Sequence, residues 1–218
     1  MAETTNVIQS LDELTARMPE GKTMCFTGRR PKDLCGYDAK KYVAFVSWLS
    51  DYLYQRFYVT EGVRTFISGG AQGVDQLAFW AVQQMRRRYG LTDIANVVFA
   101  VRGQDSKWLD KGAFSKDEYR RMLDKADIMC FVSGGSIKAL FDRNHLMCDW
   151  SQFVLGVYPD GTWTSNKGGT SETLRYATNK KRGSLSVLRV GYTFDGDGSL
   201  VPGDVVDCWT EKEPSMFV

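Results

Sequence analysis

At 218 residues, with 43% hydrophobic and 25% charged side chains, the chain has the composition of an ordinary globular domain, which excludes fibrous and disordered classes. A chain of this length buries about 70% of its unfolded surface, so it needs neither a disulfide nor a metal to hold it together. A net charge of +2 and a pI of 8.2 are too mild for a nucleic-acid footprint.

The first 20 residues are polar and acidic and lack the apolar core of a signal peptide. No apolar run approaches the roughly 20 residues of a membrane span, so a cytoplasmic protein with no membrane partner is expected. Residues 23–26 read as a first buried strand. Asp38 is then an N-cap candidate for a helix in which Tyr42, Phe45, Val46, Leu49 and Leu53 recur at helical spacing. Tyr52, Tyr54, Phe57 and Tyr58 are read as helix-to-sheet packing. Residues 65–67 form a second strand, broken by Ser68, Gly69 and Gly70.

Val74, Leu77, Ala78, Ala81, Val82 and Met85 mark one face of the next helix, which Gly90 ends. Its basic run, Arg86-Arg87-Arg88, complements the helix dipole as a solvated end. Residues 97–101 are a third strand. Ser115 and Glu118 form a capping box that opens a helix with Tyr119, Met122, Leu123 and Ala126 inward. Residues 128–132 and 153–157 are further strands with a less regular helix, 138–147, between them. Residues 171–177 open a last helix, 184–190 a sixth strand, and the tail from 191 reads as a hairpin or extended appendage. This alternation predicts an α/β fold, doubly wound, with a mostly parallel sheet covered by helices on both faces.

The five cysteines, Cys25, Cys35, Cys130, Cys148 and Cys208, are odd in number and show no C-x-x-C spacing, so small buried thiols in a reducing compartment explain them. His145 is the single histidine and reads as a polar helix residue without a visible partner. No metal and no cofactor are expected.

Three glycine-containing turns fall where strands end: Thr27-Gly28 with Arg30, Ser68-Gly69-Gly70-Ala71, and Gly168-Gly169-Thr170. Glycines let backbone approach a phosphate, and the N–H groups of a following helix start attract an anion. An open parallel sheet gathers such turns at the carboxyl ends of its strands. None of the three matches the P-loop or the dinucleotide G-x-G-x-x-G pattern.

On these residues the chain resembles the SLOG superfamily of Rossmann-like proteins, and its YpsA-like branch most closely. The matching pieces are Thr27-Gly28 with Arg30-Pro31, the Ser68 to Ala71 turn with Gly73-Val74-Asp75, and Gly103-Gln104 followed by Trp108. Tyr119, Ala126-Asp127, Arg143-Asn144, Met147, Asp149, and Gly168-Gly169-Thr170 with Thr173 follow in order. The resemblance implies a Rossmann-like domain over residues 23–190, an N-terminal extension at 1–22 and a C-terminal appendage at 191–218. It also implies a pocket for a nucleotide-like small-molecule ligand, such as an ADP-ribose derivative or a cyclic nucleotide. The ligand-binding candidates are Thr27, Gly28, Arg30, Ser68, Gly69, Gly70, Ala71, Asp75, Gln104, Trp108, Asn144, Gly168, Gly169, Thr170 and Thr173.

Related branches include phosphoribohydrolases, a single-stranded DNA loader and sensors of nucleotide signals. The hydrolases carry a catalytic Glu where this chain has Thr173. Glu172 lies one residue early, about 100° away around a helix. Binding, by sensing or sequestration, is therefore favoured over hydrolysis, and nucleic acid is disfavoured as a partner; a homo-oligomer stays open. Asp75 either contacts a ribose hydroxyl or caps its own helix. Trp108 either stacks on a base or packs on the domain edge. Arg143 either meets a ligand phosphate or pairs with Asp142 or Asp149.

Overall fold

The structure is a computed structural model that describes residues 7–8, 10–34, 36–132, 136–159, 168–179 and 186–207. Among these, one sheet is built from β1 (Lys22–Gly28), β2 (Val63–Ser68), β3 (Ala95–Val101), β4 (Ile128–Val132), β5 (Phe153–Pro159), β6 (Ser186–Phe194) and β7 (Leu200–Asp207). The strand order is β4-β3-β2-β1-β5-β6-β7, and only β7 runs antiparallel to its neighbour. The expected doubly wound, mostly parallel α/β architecture is what the chain forms.

The central strands bury both faces, and the period-2 rule sorts their side chains. Met24 and Phe26 of β1, with Phe153, Leu155 and Val157 of β5, join one core cluster. Cys25 and Val154 join the other. The first face is covered by α2 (Pro31–Leu34), by α3 (Ala39–Tyr52), by the π-helical segment Leu53–Glu61 that continues it, and by α4 (Val74–Tyr89). Beside α4, α5 (Lys116–Lys125) packs Tyr119 and Met122 against Phe79. The second face is covered by α1 (Leu11–Arg17), α6 (Ile137–Asp149) and α7 (Gly169–Asn179).

Helix ends follow local chemistry. The Asp38 carboxylate accepts from the N–H groups of Lys40 at 2.9 Å and Lys41 at 3.4 Å, and Ser115 Oγ accepts from Glu118 N–H at 3.2 Å. Gly90 ends α4 in the left-handed region at φ 64°. Phe57 packs edge-on against Phe153 of β5 at 5.5 Å, and Tyr54 stacks on Tyr89 of α4 at 3.6 Å.

Both ends of the described chain join the domain, the first with more structure than its sequence suggests and the second as the hairpin that is one of its two sequence readings. Within residues 1–22, Ser10 caps α1, Leu14 is fully buried, and Ile8 N–H donates to the Met129 carbonyl of β4 at 2.9 Å. Beyond residue 190, β6 runs on to Phe194 and forms a hairpin with β7. The Asp195 and Asp197 side chains hold Ser199 N–H in its turn at 2.9 and 2.8 Å. Ser184 and Leu185, expected to start the sixth strand, lie outside the described residues, as do Cys35 and Cys208. Cys25, Cys130 and Cys148 are free thiols. No helix among the described residues is long and apolar enough to cross a membrane.

The cap at α3 gives a direct test of local control. Asp38→Ala is expected to cost about 1 kcal/mol and Asp38→Asn only a fraction of that, because Asn caps as well as Asp. In thermal melts followed by circular dichroism this is a drop of about 2–4 °C for the alanine variant alone.

Candidate functional site

The chain leaves β1 toward β2 on one side, and β5 takes up the other side of β1 only after β4, so the switch point lies between β1 and β5. The crevice forms outside their carboxyl ends. Its first wall is the turn after β1. Thr27 is buried, and a Cβ on Gly28 would collide with the Val74 side chain and the Val157 carbonyl. The Arg29 carbonyl accepts Val74 N–H at 3.2 Å and lies where a Cβ of Gly73 would fall. Gly73 also adopts φ 99° and ψ −132°, a region that L side chains avoid. Glycine there seats the first turn directly on the start of α4.

The second turn is held from within. Ser68 Oγ donates to the Asp75 carbonyl at 2.7 Å and accepts Gly70 N–H at 3.1 Å. Asp75 Oδ2 accepts Ala71 N–H at 3.3 Å. Gln104 braces the same turn, donating to the Gly69 carbonyl at 3.3 Å and accepting Val101 N–H at 3.1 Å. A Cβ on Gly70, at φ 67°, would meet Met122 at 2.9 Å and Tyr119 at 3.0 Å rather than the crevice. A Cβ on Gly69 would overlap the Arg143 guanidinium. The missing methyl of Gly69 is therefore the slot that admits Arg143.

Arg143 comes from α6 with its side chain 3% exposed, and Nη1 donates to Asp75 Oδ2 at 3.3 Å. Its Nε, also buried, makes no hydrogen bond. Burial pushes its pKa down, the Asp75 carboxylate opposes that shift, and nearby Arg30 adds to it. The two acids weighed as partners from sequence are engaged elsewhere: Asp142 with Lys138 at 2.6 Å, and Asp149 with the Tyr176 hydroxyl at 3.1 Å.

The third turn opens α7, whose N-terminal residues Gly168, Gly169 and Thr170 reach the crevice. Thr173 Oγ1 donates to the Gly169 carbonyl at 2.7 Å and accepts Asn144 Nδ2 at 2.9 Å, tying α7 to α6. Glu172 turns away and pairs with His145 at 2.6 Å, and the His145 ring stacks on Tyr176 at 3.6 Å. His145 thus has a partner, 27 residues along the chain.

Two adjoining chambers result. The inner one, ≈ 310 Å³, is lined by Thr27, Gly28, Arg29, Arg30, Asp33, Ala71, Gln72, Asp75, Arg143, Asn144, Gly168, Gly169 and Thr170, with Ile137, Leu140 and Phe141. The outer one, ≈ 360 Å³, shares Arg30, Ala71, Gln72 and Leu140 and adds Pro31, Lys32, Tyr37, Gln104 and Trp108. Of the residues singled out from sequence, Ser68, Gly69, Gly70 and Thr173 line neither chamber and shape the walls from behind. Arg29, Tyr37 and Gln72 line the chambers but were not singled out. Arg29 neighbours the noticed Arg30, whereas nothing in the local pattern marks Tyr37. Three guanidinium groups and a helix N-terminus outweigh the two carboxylates, Asp33 and Asp75, so the inner chamber has the character of an anion site. Among the described residues no group of His, Cys, Asp and Glu could hold a metal ion.

The sequence profile of the YspA SLOG family matches residues 24–189, a span that contains every residue lining the two chambers. The chain is also 33% identical over 147 residues to the uncharacterized SPbeta prophage-derived protein YoqJ of Bacillus subtilis (strain 168). That match covers 61% of this chain and 80% of the relative.

The slot at Gly69 can be tested without a ligand. Gly69→Ala forces the guanidinium out and is expected to cost about 1–3 kcal/mol. Gly169→Ala, where a Cβ meets nothing within 4 Å, should change stability little. In a denaturant-melt cycle, the Gly69→Ala penalty should shrink when Arg143→Met is already present. An unchanged penalty would show that the guanidinium is not what fills the slot.

Proposed function

Because the chain belongs to the YspA SLOG family, we propose that it binds a nucleotide-derived small molecule, an ADP-ribose derivative or a cyclic nucleotide signal, and senses or sequesters it. The observation that carries this reading is Arg143. A buried guanidinium with an unpaired Nε and one carboxylate at 3.3 Å is under-compensated by the protein itself. An anionic group in the inner chamber, which Arg143 lines, adds a further acceptor for this guanidinium. Arg29 and Arg30 add to the attraction, and the N-terminus of α7 contributes its dipole.

Binding is favoured over hydrolysis by what the carboxylates are doing. A general acid or base must stand within hydrogen-bond reach of the reacting group. Glu172 faces His145 and lines neither chamber. Asp75 lines the inner chamber, but Ala71 N–H and Arg143 already hold its Oδ2, and Asp33, the chamber's other carboxylate, is solvent-exposed. Free thiols at Cys25, Cys130 and Cys148 fit action in the reducing cytoplasm.

A panel of nucleoside phosphates, cyclic dinucleotides and ADP-ribose should contain at least one member that raises the melting temperature. At 100 times its dissociation constant such a ligand adds about 2.7 kcal/mol. Arg30→Ala changes an exposed side chain and should leave the fold intact. It should weaken that ligand at least about tenfold, or about 1.4 kcal/mol, in calorimetry. A flat panel, or a ligand indifferent to Arg30, would overturn the reading.

A further inference from the structure

We propose that the outer chamber is a nucleobase site in which the Tyr37 ring is the stacking platform, with the ligand's phosphate in the inner chamber. The assignment rests on the phosphate reading of that inner chamber. It deepens that reading by saying what must be attached to the phosphate.

The two chambers differ in chemistry although they share a wall. The inner one holds the Arg143 and Asp75 charges. The outer one lacks these and has Tyr37, Trp108 and Pro31, together with Lys32 and Gln104. Tyr37 is 65% exposed, an unusual state for a large ring at the mouth of a cavity. It is not loose, because its ring meets Phe114 in an edge contact at 6.4 Å and 69°. Phe114 is itself buried and fixed by Tyr42 at 4.7 Å and 77°. Trp108 is held edge-on by Tyr119 at 5.2 Å. The chamber thus presents two braced aromatic side chains, one of them largely uncovered.

Arg30, Ala71, Gln72 and Leu140 line both chambers, so the two adjoin and a ligand reaching past these residues would occupy both. The shared residues also decide what can sit at the junction. Gln72 Nε2 donates to the Phe114 carbonyl at 2.7 Å, which fixes this side chain against the same aromatic cluster. A sugar at the junction would lie between an amide and the Arg30 guanidinium. A flat ring beyond it would meet Tyr37. Base stacking on an aromatic side chain tolerates any base, because every base has a π face. The chamber therefore selects for the presence of a base more strongly than for its identity.

The test uses the full chain, with inorganic phosphate, ribose 5-phosphate and AMP as probes in calorimetry. Wild type should bind AMP at least about tenfold tighter than ribose 5-phosphate. Tyr37→Ala should remove at least about fivefold of the AMP affinity and leave ribose 5-phosphate unchanged, while Tyr37→Phe retains AMP binding. Equal affinity for the two sugar phosphates overturns the assignment. So does a Tyr37→Ala variant that weakens both or neither, and so does a failure of AMP to bind. Inorganic phosphate separates this failure from that of the underlying reading. Phosphate binding that Arg30→Ala abolishes keeps the inner chamber as an anion site even when the base site is lost. Absence of phosphate binding counts against both.

Discussion

The buried contact between Arg143 and Asp75 joins the elements on which the crevice depends. An ion withdrawn from water costs several kcal/mol unless a partner and hydrogen bonds compensate it. Here the compensation is partial: one 3.3 Å contact, and a Nε with no acceptor. The carboxylate is better served. Asp75 sits in the first turn of α4, where the helix dipole favours a negative charge, and it also accepts Ala71 N–H. The same atom, Oδ2, therefore aligns the second turn and receives the guanidinium. Moving α6 relative to α4 would break the Arg143–Asp75 contact and draw the guanidinium out of its slot at Gly69, so these walls of the inner chamber are held in one mutual position.

The glycines around this contact do different physical work. Gly28 and Gly73 bring two backbone segments together, and a Cβ on either would strike a carbonyl oxygen. Gly69 makes room for a side chain from another helix. Gly169 has open space before it, so there the glycine leaves the start of α7 uncovered. The general argument, that a glycine marks something coming close to the backbone, holds at Gly28, Gly69 and Gly73. What comes close there is this chain's own carbonyls and guanidinium. A glycine-rich turn read from sequence states that space is needed and leaves open what occupies it.

That distinction also marks what was legible in the sequence. The caps at Asp38 and Ser115, the stop at Gly90 and the alternating strands depend on residues within a few positions of one another, and pattern reading finds them. The identity of Arg143's partner depends on contacts 68 residues apart, and that of His145 on contacts 27 residues apart. Local spacing had suggested Asp142 and Asp149 for the arginine, but a helix neighbour is decided by which face points inward. The helix α1 escaped notice because a seven-residue polar segment has little stability of its own. Burial of Leu14 against the second core holds it in place. The π-helical turns of Leu53–Glu61 leave no signature in a 3.6-residue periodicity, although their buried residues, Leu53 and Phe57, were both noticed.

The same ion pair bears on whether the crevice binds or cleaves. A carboxylate that serves as general acid or base exchanges its proton during turnover, and a protonated Asp75 would leave Arg143 buried beside a neutral group. That state carries the full desolvation cost of the guanidinium with none of the Coulombic return. It also weakens the acceptor that holds Ala71 N–H in the turn. An incoming phosphate has the opposite effect, because it adds negative charge beside a cation that Asp75 alone does not satisfy. The two anions then share one guanidinium, with Arg29 and Arg30 offsetting their mutual repulsion. In the proposed reading Asp75 is therefore a fixed counter-ion for Arg143 and a brace for the second turn rather than a proton carrier.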